Sequence, residues 1–364
     1  MENNINKTLK GHKLLMVMPW EQPDSFLKKL SAEFPDLKVA AYVQPEWDQG
    51  HPPFPEEEWQ DVTLLLTFTV LPTPEQAPNL QFVQLMSAGA NHVLDAPIFE
   101  KTNVKFCTAN GVHGPQIAEW IMGTYLSFQH RFPQYQLKQS AQSWDRSDLL
   151  LIDDSTDKTI GILGYGAIGR QTARLARALG MRVHAFTLHP RPTPESRRDT
   201  SWSPANLGDP EGDFPSAWYS GSSTEDLHNF LSSGLDLLVI STPLTPNTQH
   251  LLSKSEFEVL SKAGKGRTLI SNIARGPVIN TDDLVFALKE GDIRGAALDV
   301  TDPEPLPVGH ELWGMENVII TPHVSGASKR YNERVLAILR ENMGRIAGAA
   351  GRELVNLVDK REGY

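Results

Sequence analysis

The sequence predicts an α/β protein built from two parallel-sheet domains with a cleft between them. Three features of the 364-residue chain lead there. Its length exceeds the size at which one hydrophobic core keeps growing, so two domains are expected. Short, continuously apolar runs recur in two series, as strands buried on both faces of a parallel sheet do. Helical patterns lie between these runs, as the crossovers of a parallel sheet require.

The first series comprises LLMVM at 14–18, LKVAAY at 37–42, VTLLLTF at 62–68, LQFVQL at 80–85 and VKFCT at 104–108. Next comes HGPQIAEWIMGTYLSFQ, in which Pro115 suits a first helical turn and Ile117, Ile121, Tyr125 and Phe128 recur at helical spacing. This helix is expected to cross between the domains. The second series comprises TIGILGYG from 159, MRVHAFT from 181, LDLLVIST from 235, RTLISN from 267, GAALDV from 295 and NVIIT from 317. A final amphipathic helix, SKRYNERVLAILRENMGRIAGAAGRELVNL, carries Val335, Leu339 and Met343 on one face and is expected to return to the first domain. The domains expected are therefore 1–113 plus 327–364, and 114–326.

One span resists this plan. From Thr187 to Leu235 the chain is rich in Pro, Gly and Ser, which is long for a loop in a compact domain. An exposed surface insertion at about 192–222 is expected, with a lid or subunit contact as the alternative because Trp202, Trp218 and Tyr219 are costly to leave in water.

Composition narrows the function classes. A net charge of −10 argues against nonspecific binding to nucleic acid or anionic membrane, so any anion site must be local. The single cysteine, Cys107, forms no internal disulfide and reads as a small buried residue in a reducing compartment. No run reaches transmembrane length, the N-terminus has no long signal-type core, and the C-terminal KREGY is not a targeting tripeptide. A cytoplasmic protein is expected, with no metal site. No His-Glu-x-x-His or P-loop motif occurs, and no tyrosine has lysine four residues on.

The segment TIGILGYGAIGRQTARLARALG puts Gly164, Gly166 and Gly169 in G-x-G-x-x-G spacing between a strand and a helix. The first glycine permits a tight turn, the second lets backbone approach a pyrophosphate, and the third lets helix and strand pack closely. The helix N-terminus, through Tyr165, Ala167 and Ile168, would present N–H groups and a positive dipole end to the anion. Ile168, Thr172, Leu175 and Leu179 would line the packed helix face, and Gly180 would cap it. A dinucleotide site in a Rossmann domain follows, both domains being expected to be Rossmann-like or flavodoxin-like. In such sites an acidic residue about 20 positions on binds the ribose hydroxyls of NAD. Here that position holds Thr187, within AFTLHPRPTPESRR. A neutral hydroxyl with Arg191 close behind favours the extra phosphate of NADP, with NAD still possible; Arg197 and Arg198 remain ambiguous.

Three later stretches each put a titratable residue just beyond a strand: SNIARGPVIN with Arg275, ALDVTDPEPLP with Glu304, and IITPHVSGAS with His323. Ends of parallel strands are where open α/β sheets bind ligands. Behind a dinucleotide loop, the three form the acid/base set that hydride transfer to a keto acid requires.

These motifs, GILGYGAIGR, STPLTPNTQHLL, NIARGPVIN, GAALDVTDPEPLP and NVIITPHVSG in that order, resemble those of the D-isomer-specific 2-hydroxyacid dehydrogenases. The stretch FTLHPRP looks most like the NADPH-using glyoxylate and hydroxypyruvate reductases among them. The resemblance implies that Arg275 binds the substrate carboxylate and polarises the keto group, that His323 protonates the forming alkoxide, and that Glu304 holds the imidazole. It places the substrate loop on Met86, Ser87, Ala88 and Gly89. It also implies cofactor contacts from Thr242, Pro243 and Leu244, from the backbone of Ile273 and Ala274, and from Asp299 to the nicotinamide carboxamide. Trp144 resembles a family tryptophan that can close a partner subunit's active site, which would require the expected homodimer; the alternative is a buried structural tryptophan. The expected activity is reduction of a small 2-keto acid, glyoxylate- or hydroxypyruvate-like or a bulkier one, to a D-2-hydroxy acid. The rival from another class is a dinucleotide-sensing, corepressor-like interaction protein on the same fold.

Overall fold

The computed structural model describes residues 6–45, 52–264, 266–348 and 353–360. Expectations that fall on residues 1–5, 349–352 and 361–364 lie outside the described residues. Among the described residues, one compact unit is drawn from Met1–Val112, Thr200–Pro204 and Lys329–Tyr364, and another from His113–Asp199 and Ala205–Ser328.

In the first unit the chain runs through β1 (Lys13–Met18), α1 (Asp24–Glu33), β2 (Lys38–Val43), β3 (Leu64–Thr67), β4 (Phe82–Leu85), α2 (Pro97–Glu100) and β5 (Lys105–Cys107). All five strands are parallel, in the order β2-β1-β3-β4-β5. β3 and β4 are buried at every position, as their unbroken apolar runs require. β2 differs from the expected fully buried strand: it is the sheet edge, and Lys38, Val39, Ala41 and Val43 face outward. Cys107 is fully buried at the end of β5, where burial pushes its thiol up to about 12.

The second unit follows with α3 (Gly114–Gln129), α4 (Phe132–Ser140), β6 (Thr159–Leu163), α5 (Ala167–Ala178), β7 (Arg182–Thr187), α6 (Pro194–Arg197), β8 (Ala217–Ser220), α7 (Thr224–Leu231), β9 (Leu237–Ile240), α8 (Lys254–Gly264), β10 (Leu269–Asn272), α9 (Thr281–Glu290), β11 (Gly295–Leu298) and β12 (Val318–Ile320). Its seven strands are parallel, in the order β12-β11-β10-β9-β6-β7-β8. The strand order reverses direction between β6 and β9, which creates the crevice where such sheets hold ligands. α3 belongs to this unit: Ile117, Ile121 and Tyr125 are buried in a core shared with Ile160 and Ala173.

The last helix, α10 (Tyr331–Ala347), lies in the first unit, with Val335, Leu339 and Met343 fully buried in a core that includes Leu14, Met16 and Leu64. No helix among the described residues is long and apolar enough to cross a membrane.

The span expected to be an exposed insertion is largely built into the fold. Its residues 217–220 form β8, paired with β7 from His184↔Ala217 to Thr187↔Ser220. Trp218 stands edge-on to the Tyr165 ring at 5.1 Å, and Tyr219 packs against Phe230 at 5.5 Å. Trp202 packs on the core of the first unit, and its N–H donates to Asn356 Oδ1 at 3.3 Å. The aromatic cost that suggested a lid or subunit contact is thus relieved within the chain itself. α5 also differs from expectation. Besides Thr172 it buries Arg170 and Gln171, while Ile168, Leu175 and Leu179 are only partly buried.

Candidate active site

Every candidate group in the second unit stands where a parallel strand ends, so the sheet order fixes their sequence in space. From one side to the other the ends carry Thr187 (β7), Gly164 (β6), Thr242 (β9), Arg275 (β10), Asp299 and Glu304 (β11) and His323 (β12).

The glycine loop meets the requirements of its three positions. Gly164 has φ +100°, and a Cβ there would lie 2.8 Å from the Ser241 carbonyl and 2.9 Å from the Thr242 nitrogen. A side chain is excluded both by backbone strain and by the neighbouring loop. A Cβ on Gly169 would meet the Gly164 carbonyl oxygen at 2.6 Å, so helix and turn pack too closely for any other residue. Gly166 faces open space, with nothing within 4 Å of a Cβ built on it. That leaves a bare backbone approach at the N-terminus of α5, where the first-turn N–H groups of Ala167 and Ile168 lack intrahelical acceptors. The cradle fits the pyrophosphate of a dinucleotide.

Tyr165, between the two glycines, turns its side chain away from this cradle. Its hydroxyl donates to Asp209 Oδ2 at 2.7 Å in a buried pair. Burial first, and then the adjacent Asp209 carboxylate, push the phenol well above its ordinary range. Any cofactor contact from Tyr165 would come from backbone. Thr187, buried at the end of β7, donates its hydroxyl to the His189 carbonyl at 2.8 Å, which closes the turn after the strand and leaves the oxygen able only to accept. Arg191 Nη1 donates to the Ser196 carbonyl at 2.5 Å, while its Nε is buried without a partner. The two following arginines bond locally. Arg197 Nε donates to the Arg191 carbonyl at 3.0 Å, and Arg198 Nε to exposed Glu211 Oε2 at 2.7 Å.

After β9, Ser241 Oγ donates to the Gly164 carbonyl at 2.7 Å, tying the two loops at the switch point. The Pro243 carbonyl accepts from Thr248 Oγ1 at 2.7 Å, and Thr242 and Leu244 are half-buried beside it. After β10, buried Asn272 shapes the turn: its Oδ1 accepts from Ala274 N at 3.1 Å and its Nδ2 donates to the Arg275 carbonyl at 3.1 Å. Ile273 and Ala274 are buried behind the exposed Arg275, whose Nη1 donates to the Ala274 carbonyl at 2.7 Å. With its N–H taken by Asn272, Ala274 offers a cofactor only its carbonyl.

The Arg275 and Glu304 turns touch through Gly276. A Cβ there would fall 1.8 Å from the Thr301 carbonyl oxygen, so only glycine lets the two loops close on each other. Glu304 Oε1 in turn lies 2.7 Å from His323 Nδ1. A carboxylate only accepts, so Nδ1 carries the proton and Nε2 is the ring nitrogen turned away from Glu304. Both side chains are about half exposed, open to a reactant. Asp299 lies beneath them, 2 % exposed. Its Oδ1 accepts from Thr321 Oγ1 at 2.5 Å and Val324 N at 2.9 Å, and its Oδ2 from Ser325 Oγ at 2.5 Å and Ser325 N at 2.9 Å. The Asp299 carbonyl accepts from His323 N at 2.9 Å. This residue, expected to face a nicotinamide, spends its carboxylate on the loop that carries His323.

In the first unit the loop Met86–Gly89 follows β4. The Met86 side chain is buried, its N–H donates to the Thr67 carbonyl at 2.9 Å, and its carbonyl accepts from the Tyr331 hydroxyl. Ala88 is exposed and Ser87 and Gly89 are half-buried, with Ser87 Oγ donating to the Gly89 carbonyl at 2.8 Å.

Asn272, Gly276, Thr321 and Ser325 were missed at the sequence level. The signal for three of them was present: an Asn two residues before the turn, a Gly after the arginine, and a Ser two residues after the histidine. The partners of Tyr165 and Arg170 carried no such local mark.

The chain is similar to known proteins over most of its length. The family description "D-isomer specific 2-hydroxyacid dehydrogenase, NAD binding domain" matches residues 122–207 and 213–325. A glyoxylate reductase of Thermofilum pendens is 32% identical over 272 residues, covering 74% of this chain and 72% of that protein. A glyoxylate reductase/hydroxypyruvate reductase of Mus musculus is 29% identical over 276 residues, 75% of each chain. Among solved structures, a D-isomer specific 2-hydroxyacid dehydrogenase from Xanthobacter autotrophicus Py2, in complex with NADPH and MES, superposes with a TM-score of 0.73 at 25% identity, covering 97% of this chain and 99% of that one.

Proposed function

Since this chain belongs to the D-isomer specific 2-hydroxyacid dehydrogenase family, we propose that it reduces a small 2-keto acid, of the glyoxylate or hydroxypyruvate kind, to the D-2-hydroxy acid with NADPH as preferred cofactor. The observation that carries this reading is the His323–Glu304 pair at 2.7 Å, standing at strand ends next in line to Arg275. When bound, the dinucleotide supplies the hydride. Arg275 holds the substrate carboxylate and draws electron density toward the keto oxygen, as a planar guanidinium suits. His323 delivers the proton from Nε2 to that oxygen as it becomes an alkoxide, and Glu304 steadies the ring from the other side. Ser87, Ala88 and Gly89 are assigned as a substrate loop of the first unit.

For the cofactor, we assign Gly164, Gly166, Ala167, Ile168 and Gly169 to the pyrophosphate, the backbone of Tyr165 included. Thr242, Pro243, Leu244, Ile273 and the Ala274 carbonyl flank the rest of the dinucleotide. The preference for NADPH rests on the absence of a carboxylate at Thr187 and on the unpartnered Nε of Arg191. The buried Cys107 suits a cytoplasmic setting. A sensor role on the same fold is not favoured, because the named relatives are reductases and the acid/base pair is intact.

A homodimer is part of this reading. Trp144 is 96% exposed and Leu150 94%, and Phe132, Leu137, Leu149 and Leu151 nearby are also exposed, a concentration of apolar surface that a second copy would cover.

Purified protein supplied with NADPH or NADH and a panel of 2-keto acids tests the function, by loss of reduced-nicotinamide absorbance. Turnover of a small 2-keto acid, faster with NADPH, is the expected result. No turnover of any member would overturn the reading, and equal rates with both cofactors would remove the NADPH preference.

A further inference from the structure

We propose that Arg170 is a positioning residue for cofactor choice: from the glycine-loop helix it fixes the turn that holds Arg191, and so sets the discrimination between NADPH and NADH. The inference rests on the NADPH reading above and adds a residue that does not itself touch the cofactor.

Arg170 sits in the first turn of α5 and is 3 % exposed, with both terminal nitrogens hydrogen-bonded and Nε held only by the charge of Asp199. Nη2 donates to the Arg197 carbonyl at 2.7 Å and Nη1 to the Asp209 carbonyl at 2.5 Å, while Nε lies 3.4 Å from Asp199 Oδ2. Its guanidinium also stands over the Tyr165 ring, 5.1 Å from the centroid. One side chain thus grips residues 197, 199 and 209 of the excursion that begins after β7.

The turn so gripped is closed on itself. Arg191 Nη1 donates to the Ser196 carbonyl, Arg197 Nε donates back to the Arg191 carbonyl, and Thr193 and Ser196 cap the short helix between them. A closed turn moves as one body, so its position depends on what anchors it. The bond from Arg170 to the Arg197 carbonyl anchors it to α5, beside the Arg197 guanidinium over the Trp218 ring at 5.6 Å and the Arg198–Glu211 pair. The neighbouring turns of α5 extend the grip: Gln171 Oε1 accepts from Gly208 N at 2.7 Å and Arg174 Nε donates to the Gly208 carbonyl at 2.8 Å. The pyrophosphate cradle and the Arg191 turn are therefore two ends of one rigid piece. A fork that reaches two carbonyls is specific to arginine, since a lysine ammonium on a flexible stem spans one.

The geometry makes a selective prediction. NADPH differs from NADH by one phosphate, and only the phosphate needs Arg191 in place. Arg170→Met should raise the KM for NADPH about tenfold, the scale of losing one charge-assisted hydrogen bond. The KM for NADH and the kcat with either cofactor should stay within about twofold, since no group in contact with the nicotinamide end is altered. Arg170→Lys keeps the buried charge and should show the same split at smaller size; it also serves as the test should the Met variant fail to fold. Parallel rises in both KM values would mean general damage to the glycine loop, and an unchanged NADPH/NADH ratio would mean no coupling; either overturns the proposal. Arg191→Ala, assayed alongside, separates the two levels. If it weakens NADPH selectively while both Arg170 variants do not, the NADPH reading stands and the positioning role falls. If Arg191→Ala leaves the ratio unchanged, the phosphate assignment fails and the positioning role with it.

Discussion

His323 Nδ1 and Glu304 Oε1 stand 2.7 Å apart on turns that leave neighbouring parallel strands, β12 and β11. The contact orients the ring because the acceptor is fixed by its own turn: Thr301 N donates to Glu304 Oε2 at 3.4 Å and Thr301 Oγ1 to the Pro303 carbonyl at 2.9 Å. In Glu304→Gln the amide oxygen still accepts from Nδ1, so the ring keeps its place while the negative charge is lost. The expected result is a fall in kcat on the order of tenfold to a hundredfold with NADPH affinity unchanged, measured by steady-state kinetics and cofactor fluorescence titration. An unaltered kcat would show that the charge plays no part in the proton transfer.

Asp299 bears on the same ring from below. Its four acceptances come from Thr321, Val324 and Ser325, on both sides of His323, whose backbone is left-handed at φ +54°. A non-glycine residue in that region needs outside support. Asp299→Asn would turn an amide N–H₂ toward groups that donate, leaving at least one buried donor unmatched. Stability should fall by about 1–3 kcal/mol in chemical unfolding, and kcat should fall more than cofactor affinity. If instead the KM for cofactor rises first and kcat holds, Asp299 serves the nicotinamide, as the family resemblance suggested.

The parts of the site that were legible in the sequence share one property: their meaning is local. Gly164, Gly166 and Gly169 are read against the strand before and the helix after them. Arg275, Glu304 and His323 are read as residues beyond strand ends. What escaped depends on partners distant in the chain. Tyr165 meets Asp209 44 residues on, and Arg170 meets Asp209 39 residues on, so the inward polar face of α5 looks like a solvated one until its partners are known. β8 was hidden because its four residues, AWYS, sit in a Pro-, Gly- and Ser-rich run, and its place at the sheet edge asks for no long apolar stretch. Met86 is the converse case. It adjoins the small-residue loop in sequence, but the β4 ladder claims its N–H one residue past the strand.

The glycine after the arginine gives a test of how the two catalytic turns depend on each other. A methyl group on Gly276 would overlap the Thr301 carbonyl oxygen at 1.8 Å and its carbon at 2.1 Å, all of it backbone. Backbone cannot swing aside as a flexible side chain can, so Gly276→Ala must part the loops. Overpacking of this kind costs about 1–3 kcal/mol. The displaced loop carries Glu304, so kcat should drop more than the stability loss accounts for, while the glycine loop, on a strand three places away, keeps its cofactor affinity. Unfolding curves, kcat and cofactor titration on the one variant check all three. A stable variant with full activity would show that the turns move independently.

Alkaline pH probes the first unit. Cys107 is fully buried, and burial raises its thiol from 9.0 to about 12. Below about pH 9 the thiol is protonated in both folded and unfolded chains and contributes no pH dependence. Above it the unfolded chain releases a proton that the folded chain retains, so stability falls as pH rises, by up to about 1.4 kcal/mol per unit from this group. Other groups titrate in the same range, so the comparison that isolates the thiol is with Cys107→Ala. The variant should be less stable near neutrality, because a buried group is removed, yet its urea-unfolding free energy should decline less steeply between roughly pH 9 and 11. Equal slopes in the two proteins would mean that the thiol ionises as readily folded as unfolded. The same burial should leave the native thiol unreactive toward an alkylating reagent near neutral pH, and reactive once urea unfolds the chain.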